Sequence, residues 1–401
     1  MDGCTTKYYK VWLLYSAFYS FSTTMSTVFY QSYAIRVLNF EVEDLGNVTS
    51  LNIAMIALGN FNGLYLLHKF RDKRLMLWRI SIGLNAVLWS LIGFTDLIKG
   101  GHYLFYACVA LAQFSGAMGG LASSDTIADM IPKDLSVKVF SKLNTYVTAA
   151  SFMSLSTAVA VFNFMGISVY SYRVCYGLSM ISAITSAGLL SLIKDLNVRK
   201  STAVNFKVFV NGFKEIFDDT DLRNYASLMA MFMFAANLPA ALWNYYLITV
   251  FRGDEVWISV NNILNVFALT LGSYVLSKRS HKLNPRKTLV YSITPISFVP
   301  VVFLISPTMA SQALMNFYSG LSWSGFNLMT SIYNLYLPRE SNRLYFLSTI
   351  GIVNNSSAAL ASRLGAYVAS VSLTAMQLVF IASCIGRLLS LIYAKRKLPN
   401  I

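Results

Sequence analysis

The sequence predicts an all-α membrane protein with twelve transmembrane helices in two pseudo-symmetric six-helix halves, and three observations predict it. Of its 401 residues, 56% are hydrophobic and only 12% charged, a composition unlike that of a soluble domain of this size. The apolar residues fall into a dozen segments, each close to the roughly 20 residues that a helix needs to cross a bilayer. Lysine and arginine gather in alternate loops between those segments, the pattern expected of a chain that crosses a membrane many times.

Breaks at charged or Pro/Gly clusters delimit the elements in order. The first span, near 11–36, follows Lys7 and Lys10; it is too long for the apolar region of a signal peptide and has no obvious cleavage site, so it reads as a membrane helix. The second covers 45–67 and ends at the basic run Lys69, Arg71, Lys73 and Arg74; the third covers 75–95. The fourth, 102–131, stops at Pro132-Lys133-Asp134, and the fifth and sixth cover 139–166 and 172–193. The seventh, 222–250, contains Pro239, where a missing backbone hydrogen bond is expected to kink or unwind the helix and expose carbonyls. The last five cover 256–277, 288–305, 309–337, 344–369 and 373–394; Pro295 and Pro300 are expected only to bend the ninth.

Charge sets the orientation. With a cytoplasmic N-terminus, the outer segments keep only Arg36, Lys99, Arg173 and Arg252, while the remaining loops hold most of the basic residues. The positive-inside rule therefore predicts a multi-pass protein of the cell membrane with both termini cytoplasmic. The expected domains are a six-helix bundle over 1–194, a cytoplasmic linker over 195–221 and a second bundle over 222–401. In the linker Phe206, Phe209, Val210, Phe213 and Phe217 fall at helical spacing, which predicts an interfacial helix. Pro338-Arg339-Glu340 after the tenth span echoes Pro132-Lys133-Asp134 after the fourth, as a duplicated unit would.

The net charge of +15 belongs to short loops between spans, not to one soluble face, so nucleic acid is not an expected partner. Cys4, Cys108, Cys175 and Cys384 lack metal-ligand spacing and read as small core residues. His68, His102 and His281 lie in separate loops with no nucleophile or paired carboxylate beside them, which argues against a membrane-embedded enzyme such as a lipid-modifying one. No phosphate-binding loop and no repeated ion filter is visible, so neither ATP drive nor a channel is expected, and no cofactor is implied.

Two stretches carry a family resemblance. Ala128-Asp129-Met130-Ile131-Pro132, with Asn144-Thr145 beyond the basic loop, and Ser322-Trp323-Ser324-Gly325-Phe326-Asn327-Leu328, followed by Leu337-Pro338-Arg339-Glu340 and Arg343, resemble the fourth-to-fifth and tenth-to-eleventh helix regions of the major facilitator superfamily. With twelve spans, a long central loop and internal termini, the resemblance covers essentially the whole chain. That family's Gly-x-x-x-Asp-x-x-Gly-Arg-Arg signature survives only in degraded form from Gly63 to Arg74, and the helix-four arginine of its R-x-x-x-G-x-G pattern is missing. The resemblance implies a secondary transporter, expected to be a monomer working by alternating access, in which spans 1, 4, 7 and 10 line a cavity and spans 3, 6, 9 and 12 face outward.

Residue types along those spans suggest the site. An amide left unpaired in hydrocarbon costs several kcal/mol, so polar side chains should face protein or water. The candidate substrate contacts are Tyr19, Thr23, Tyr30, Gln113, Asn237, Trp243, Trp323, Asn327, Asn354 and Arg363; the alternative for each is interhelical bonding with no ligand. Tyr and Trp offer a flat apolar face with a polar edge, suited to sugars, aromatics or amphiphiles. Asp125 is the proton-coupling candidate because ionised carboxyls in a membrane are costly, and a gate ion pair is the equal alternative for it. Asp129 is expected to pair with Arg71, Lys73 or Arg74, or with Lys142, at a cytoplasmic gate, and Arg79 and Arg387 to snorkel toward the surface. The expected cargo is a small organic solute: proton-coupled efflux of an amphiphile leads over sugar-like uptake or facilitated diffusion, with membrane lipid as the surrounding partner.

Overall fold

The computed structural model describes residues 3–130, 136–193, 213–214, 217–278, 284–339 and 343–400. In the first part of the chain, helices α1 (Gly3–Arg36), α2 (Val42–Lys69), α3 (Arg74–Leu91), α4 (Gly101–Met130), α5 (Ser136–Met165) and α6 (Val169–Ser191) form six spans. The third is extended by a 3-10 turn, Ile92–Leu97. The seventh span is two helices, α7 (Thr220–Asn237) and α8 (Leu242–Thr249), followed by α9 (Glu255–Lys278), α10 (Pro285–Leu304), α11 (Met309–Tyr336), α12 (Arg343–Ala369) and α13 (Leu373–Lys397). Twelve spans are thus present among the described residues, as the sequence predicts. The expected interfacial helix of the linker falls almost wholly outside those residues.

Local chemistry explains where the helices begin. Ser168 and Ser171 form a reciprocal capping box at the start of α6, and Thr308 and Ser311 form its counterpart at α11. Asn284 caps α10 with Pro285 in the first turn, where a missing N–H costs nothing, and Ser372 caps α13. Among the described residues nine spans are long and apolar enough to cross a membrane; α1, α11 and α12 fall short because of their Tyr, Ser, Thr and Asn content.

The chain forms two compact units. One comprises 1–39 and 55–204, the other 40–54 and 205–401, so the first turns of α2 belong with the second unit. In the first unit α1 packs on α5 and α6, and α3 on α4 and α6. In the second, α7 packs on α12 and α13, and α10 on α11 and α13. Counted as spans, the pairs 1·5, 1·6, 3·4 and 3·6 recur as 7·11, 7·12, 9·10 and 9·12, a six-span offset that gives the duplicated unit physical form. Trp12, Tyr15, Trp78, Ile82 and Leu190 share the core of the first unit; Tyr225, Phe232, Ile293, Phe326 and Phe346 share that of the second.

Polar seams supplement these cores. The Ser179 hydroxyl on α6 lies 3.0 Å from that of Ser22, 2.6 Å from that of Ser26 and 2.9 Å from that of Ser90, joining α1, α3 and α6. On the other side of α1, Ser20 and Thr24 bond the Ser151 hydroxyl and Ser154 donates to the Phe21 carbonyl, joining α5. Between membrane helices the surrounding lipid is as apolar as leucine, so such hydroxyl contacts and close packing hold the elements together.

Candidate functional site

The first unit contains the proton-coupling candidate. Asp125 on α4 accepts from Arg74 at the start of α3, with Nη1 to Oδ2 at 3.0 Å, and the arginine side chain is fully buried. A fork donor on a carboxylate in low dielectric is a strong pair, and removing either partner strands the other. Lys73 is exposed, while the side chains of Arg71 and Asp129 lie outside the described residues. The predicted gate therefore has one visible pairing, and it involves Asp125.

Several other candidates have their polar groups engaged inside the protein. Tyr19 donates to Asn85 Oδ1 at 2.8 Å, and the Asn85 amide donates to the Ala112 carbonyl at 2.6 Å. Asn85, a polar residue on a span expected to face outward, is buried and joins α1, α3 and α4. Thr23 donates to the Tyr19 carbonyl of its own helix at 2.9 Å. Tyr30 is buried edge-on to Trp89 and receives a hydrogen bond from Gln31 at 3.2 Å. Trp243 stands edge-on to Phe303 and Phe380, each with ring centroids 4.8 Å away. In the same cluster Tyr246 accepts from Gln377 at 3.0 Å, which places that second outer-span amide inward too.

The remaining candidates are less engaged. Gln113 is half-buried and Asn327 exposed, and the side chain of neither makes a hydrogen bond among the described residues. Asn354 has a buried amide oxygen with no partner, an omission that costs about 1–3 kcal/mol unless a ligand or water supplies a donor. Asn237 donates to the Met233 carbonyl at 2.9 Å and ends α7 where the seventh span breaks. Trp323 is half-buried, edge-on to Phe232 and Phe326. Arg363 pairs with Glu43 at 3.0 Å, both side chains partly exposed. Five of these residues, Asn237, Trp323, Asn327, Asn354 and Arg363, sit on α7, α11 and α12 of the second unit.

One expectation is corrected. Arg387 does not snorkel: it is only 2% exposed and donates to the Ile296 carbonyl at 2.8 Å and the Ala236 carbonyl at 3.1 Å. Arg79 reaches back to the Leu190, Ser191 and Ile193 carbonyls at the end of α6, where a helix leaves acceptors open. Sequence reasoning also missed half-buried Asn52, whose buried amide oxygen has no partner among the described residues, and the buried carboxylate of Glu255 in the first turn of α9. Asn52 carries no distinguishing signal; Glu255 reads as a loop charge beside Arg252 and Asp254.

The sequence matches no protein-family profile and no curated protein. Solved structures do match over nearly the whole chain. The nucleoside transporter NupG superposes with a TM-score of 0.75 at 14% identity, covering 98% of this chain and 100% of that one. A D-xylose-proton symporter gives 0.72 at 11% identity, covering 98% and 97%. An auto-inhibited POT family peptide transporter gives 0.75 at 10% identity, covering 97% of each chain. The fold is that of the major facilitator transporters, and at these identities the likeness establishes the fold alone.

Proposed function

We propose that the protein is a secondary transporter that moves a small organic solute across the cell membrane by alternating access, with both termini cytoplasmic. The observation that supports this reading is the fold, shared over 97–98% of the chain with transporters of a nucleoside, a sugar and peptides. The preferred cargo is an amphiphile, exported with proton coupling. Once hydroxyls and amides bonded within the protein are set aside, the Asn327 and Asn354 amides and the Trp323 indole are the main groups left for a ligand in the second unit. A sugar needs a partner for every hydroxyl, whereas an amphiphile needs a few polar contacts and an aromatic wall.

Asp125 is the proposed proton carrier. A proton and Arg74 compete for the same carboxylate, so the ion pair and the protonated acid belong to different steps of a cycle. A thermal-shift panel of metabolites and amphiphiles at two pH values tests the ligand class, since a ligand present at a hundredfold excess over Kd raises stability by about 2.7 kcal/mol. Related amphiphilic hits are expected; a cluster of sugars would overturn the preferred cargo. In proteoliposomes Asp125→Asn is expected to abolish movement driven by a pH gradient while exchange persists in part. Undiminished gradient-driven transport in that variant would remove Asp125 from the coupling role.

A further inference from the structure

The break in the seventh span leaves backbone acceptors whose partners can be traced one by one. In an α-helix each carbonyl accepts from the N–H four residues on, and a proline at that position leaves its acceptor open. Pro239 opens the Ala235 carbonyl, and Ser383 on α13 donates to it at 2.7 Å. The Ala240 N–H bonds Asn237 at 3.1 Å instead of Ala236, and Arg387 donates to the Ala236 carbonyl at 3.1 Å. The Leu242 N–H bonds Pro239 at 2.8 Å, turning the chain into α8. Leu238 directs its carbonyl at Gly365 of α12, where any Cβ would collide with that oxygen.

A second open carbonyl lies on α10. Pro300 frees Ile296, and Arg387 donates to it at 2.8 Å from its other terminal nitrogen. Ser383, Gly386 and Arg387 share one face of α13 by their spacing. A Cβ added at Gly386 would stand 2.8 Å from that of Ala235, so the glycine permits the approach on which both donors depend.

We propose that Ser383 and Arg387 are positioning residues that hold the seventh span open at 238–241, with one guanidinium bridging the break in that span and the proline site of the ninth. Among the described residues Arg387 has no ion pair, and its Nε–H is buried without a partner. An uncompensated charge in a membrane core is costly, and a planar fork is the side chain able to serve carbonyls on two helices at once. Lysine carries its three donors on one nitrogen and lacks the two separate terminal nitrogens that Arg387 uses. The break fixes the end of α7, and with it Asn237, before the turn to Trp243. This role is independent of the solute carried.

Double-mutant cycles on the full-length protein in nanodiscs test the assignment. Arg387→Met is expected to lower the melting temperature and to speed amide exchange over 236–243 by about tenfold, since local opening sets exchange. Pro300→Ala restores an N–H for Ile296, so Arg387→Met should cost less in the Pro300→Ala background than alone, and Arg387→Lys should recover only part of the loss. Additive effects, or unchanged exchange across the break, would overturn the proposal. If Arg387→Met does not fold, Ser383→Ala with Pro239→Ala gives the same reading, because the restored N–H at 239 takes over the Ala235 carbonyl; additivity there counts equally against it.

Discussion

At the scale of single residues, the molecule separates polar groups that hold it together from polar groups left open. Tyr19, Thr23 and Tyr30 have the side-chain types of a binding site, yet each finds a partner within its own unit. The sequence marks such residues as polar in a polar-averse setting, and it cannot say which of two neighbours supplies the partner, because that depends on helix rotation by a few tens of degrees. Asn354 is the informative contrast, with a buried amide oxygen unsatisfied. Asn354→Leu is expected to leave the melting temperature unchanged or slightly raised, since replacing an unpaired amide relieves a desolvation cost of about 1–3 kcal/mol. In the same variant ligand affinity should fall several-fold by the thermal-shift titration. A large loss of stability with unaltered affinity would make Asn354 a structural residue.

At the scale of elements, the spans were legible and their interruptions only in part. Length, hydropathy and flanking charge locate all twelve helices, because those properties belong to a segment alone. Pro239 signals a break in the seventh span and the structure has one, whereas the identical residue type at 300 signals only a bend. The donor that meets each freed carbonyl comes from another helix, 148 residues away in the chain for Ala235 and 91 for Ile296. The serine seam of α1 follows the same logic. Ser179 is fully buried and contacts hydroxyls of Ser22, Ser26 and Ser90. Interhelical hydrogen bonds in membranes average about 0.6 kcal/mol each, so Ser179→Ala should cost roughly 1–2 kcal/mol. Reversible unfolding in mixed micelles measures this, and a Ser22→Ala, Ser179→Ala pair should be less than additive.

At the scale of the whole molecule, the predicted fold class stands: twelve spans, a repeated packing pattern within each unit and a chain-long likeness to transporter structures. The charge pattern adds an orientation that single-cysteine labelling can check. A membrane-impermeant reagent applied to intact cells is expected to modify a cysteine at Thr308 and to spare one at Lys73; the reverse pattern would invert the topology. Substrate identity was the least legible property, for a physical reason. The contacts proposed for a ligand are a few amides and a ring on α11 and α12, and no short motif records that combination.

The carbonyls of Ala236 and Ile296 also bear on biosynthesis. A chain made from its N-terminus places α7 and α10 in the bilayer before α13 exists, so both acceptors wait for a donor that arrives with the last helix. An arginine near a helix centre costs about 2.5–3.5 kcal/mol on insertion, and α13 is otherwise apolar enough to cross a membrane. Entry of that helix and completion of its predecessors are therefore one event. A nascent chain whose last helix had not yet left the ribosome would hold a second unit with its two opened helices still searching for a partner.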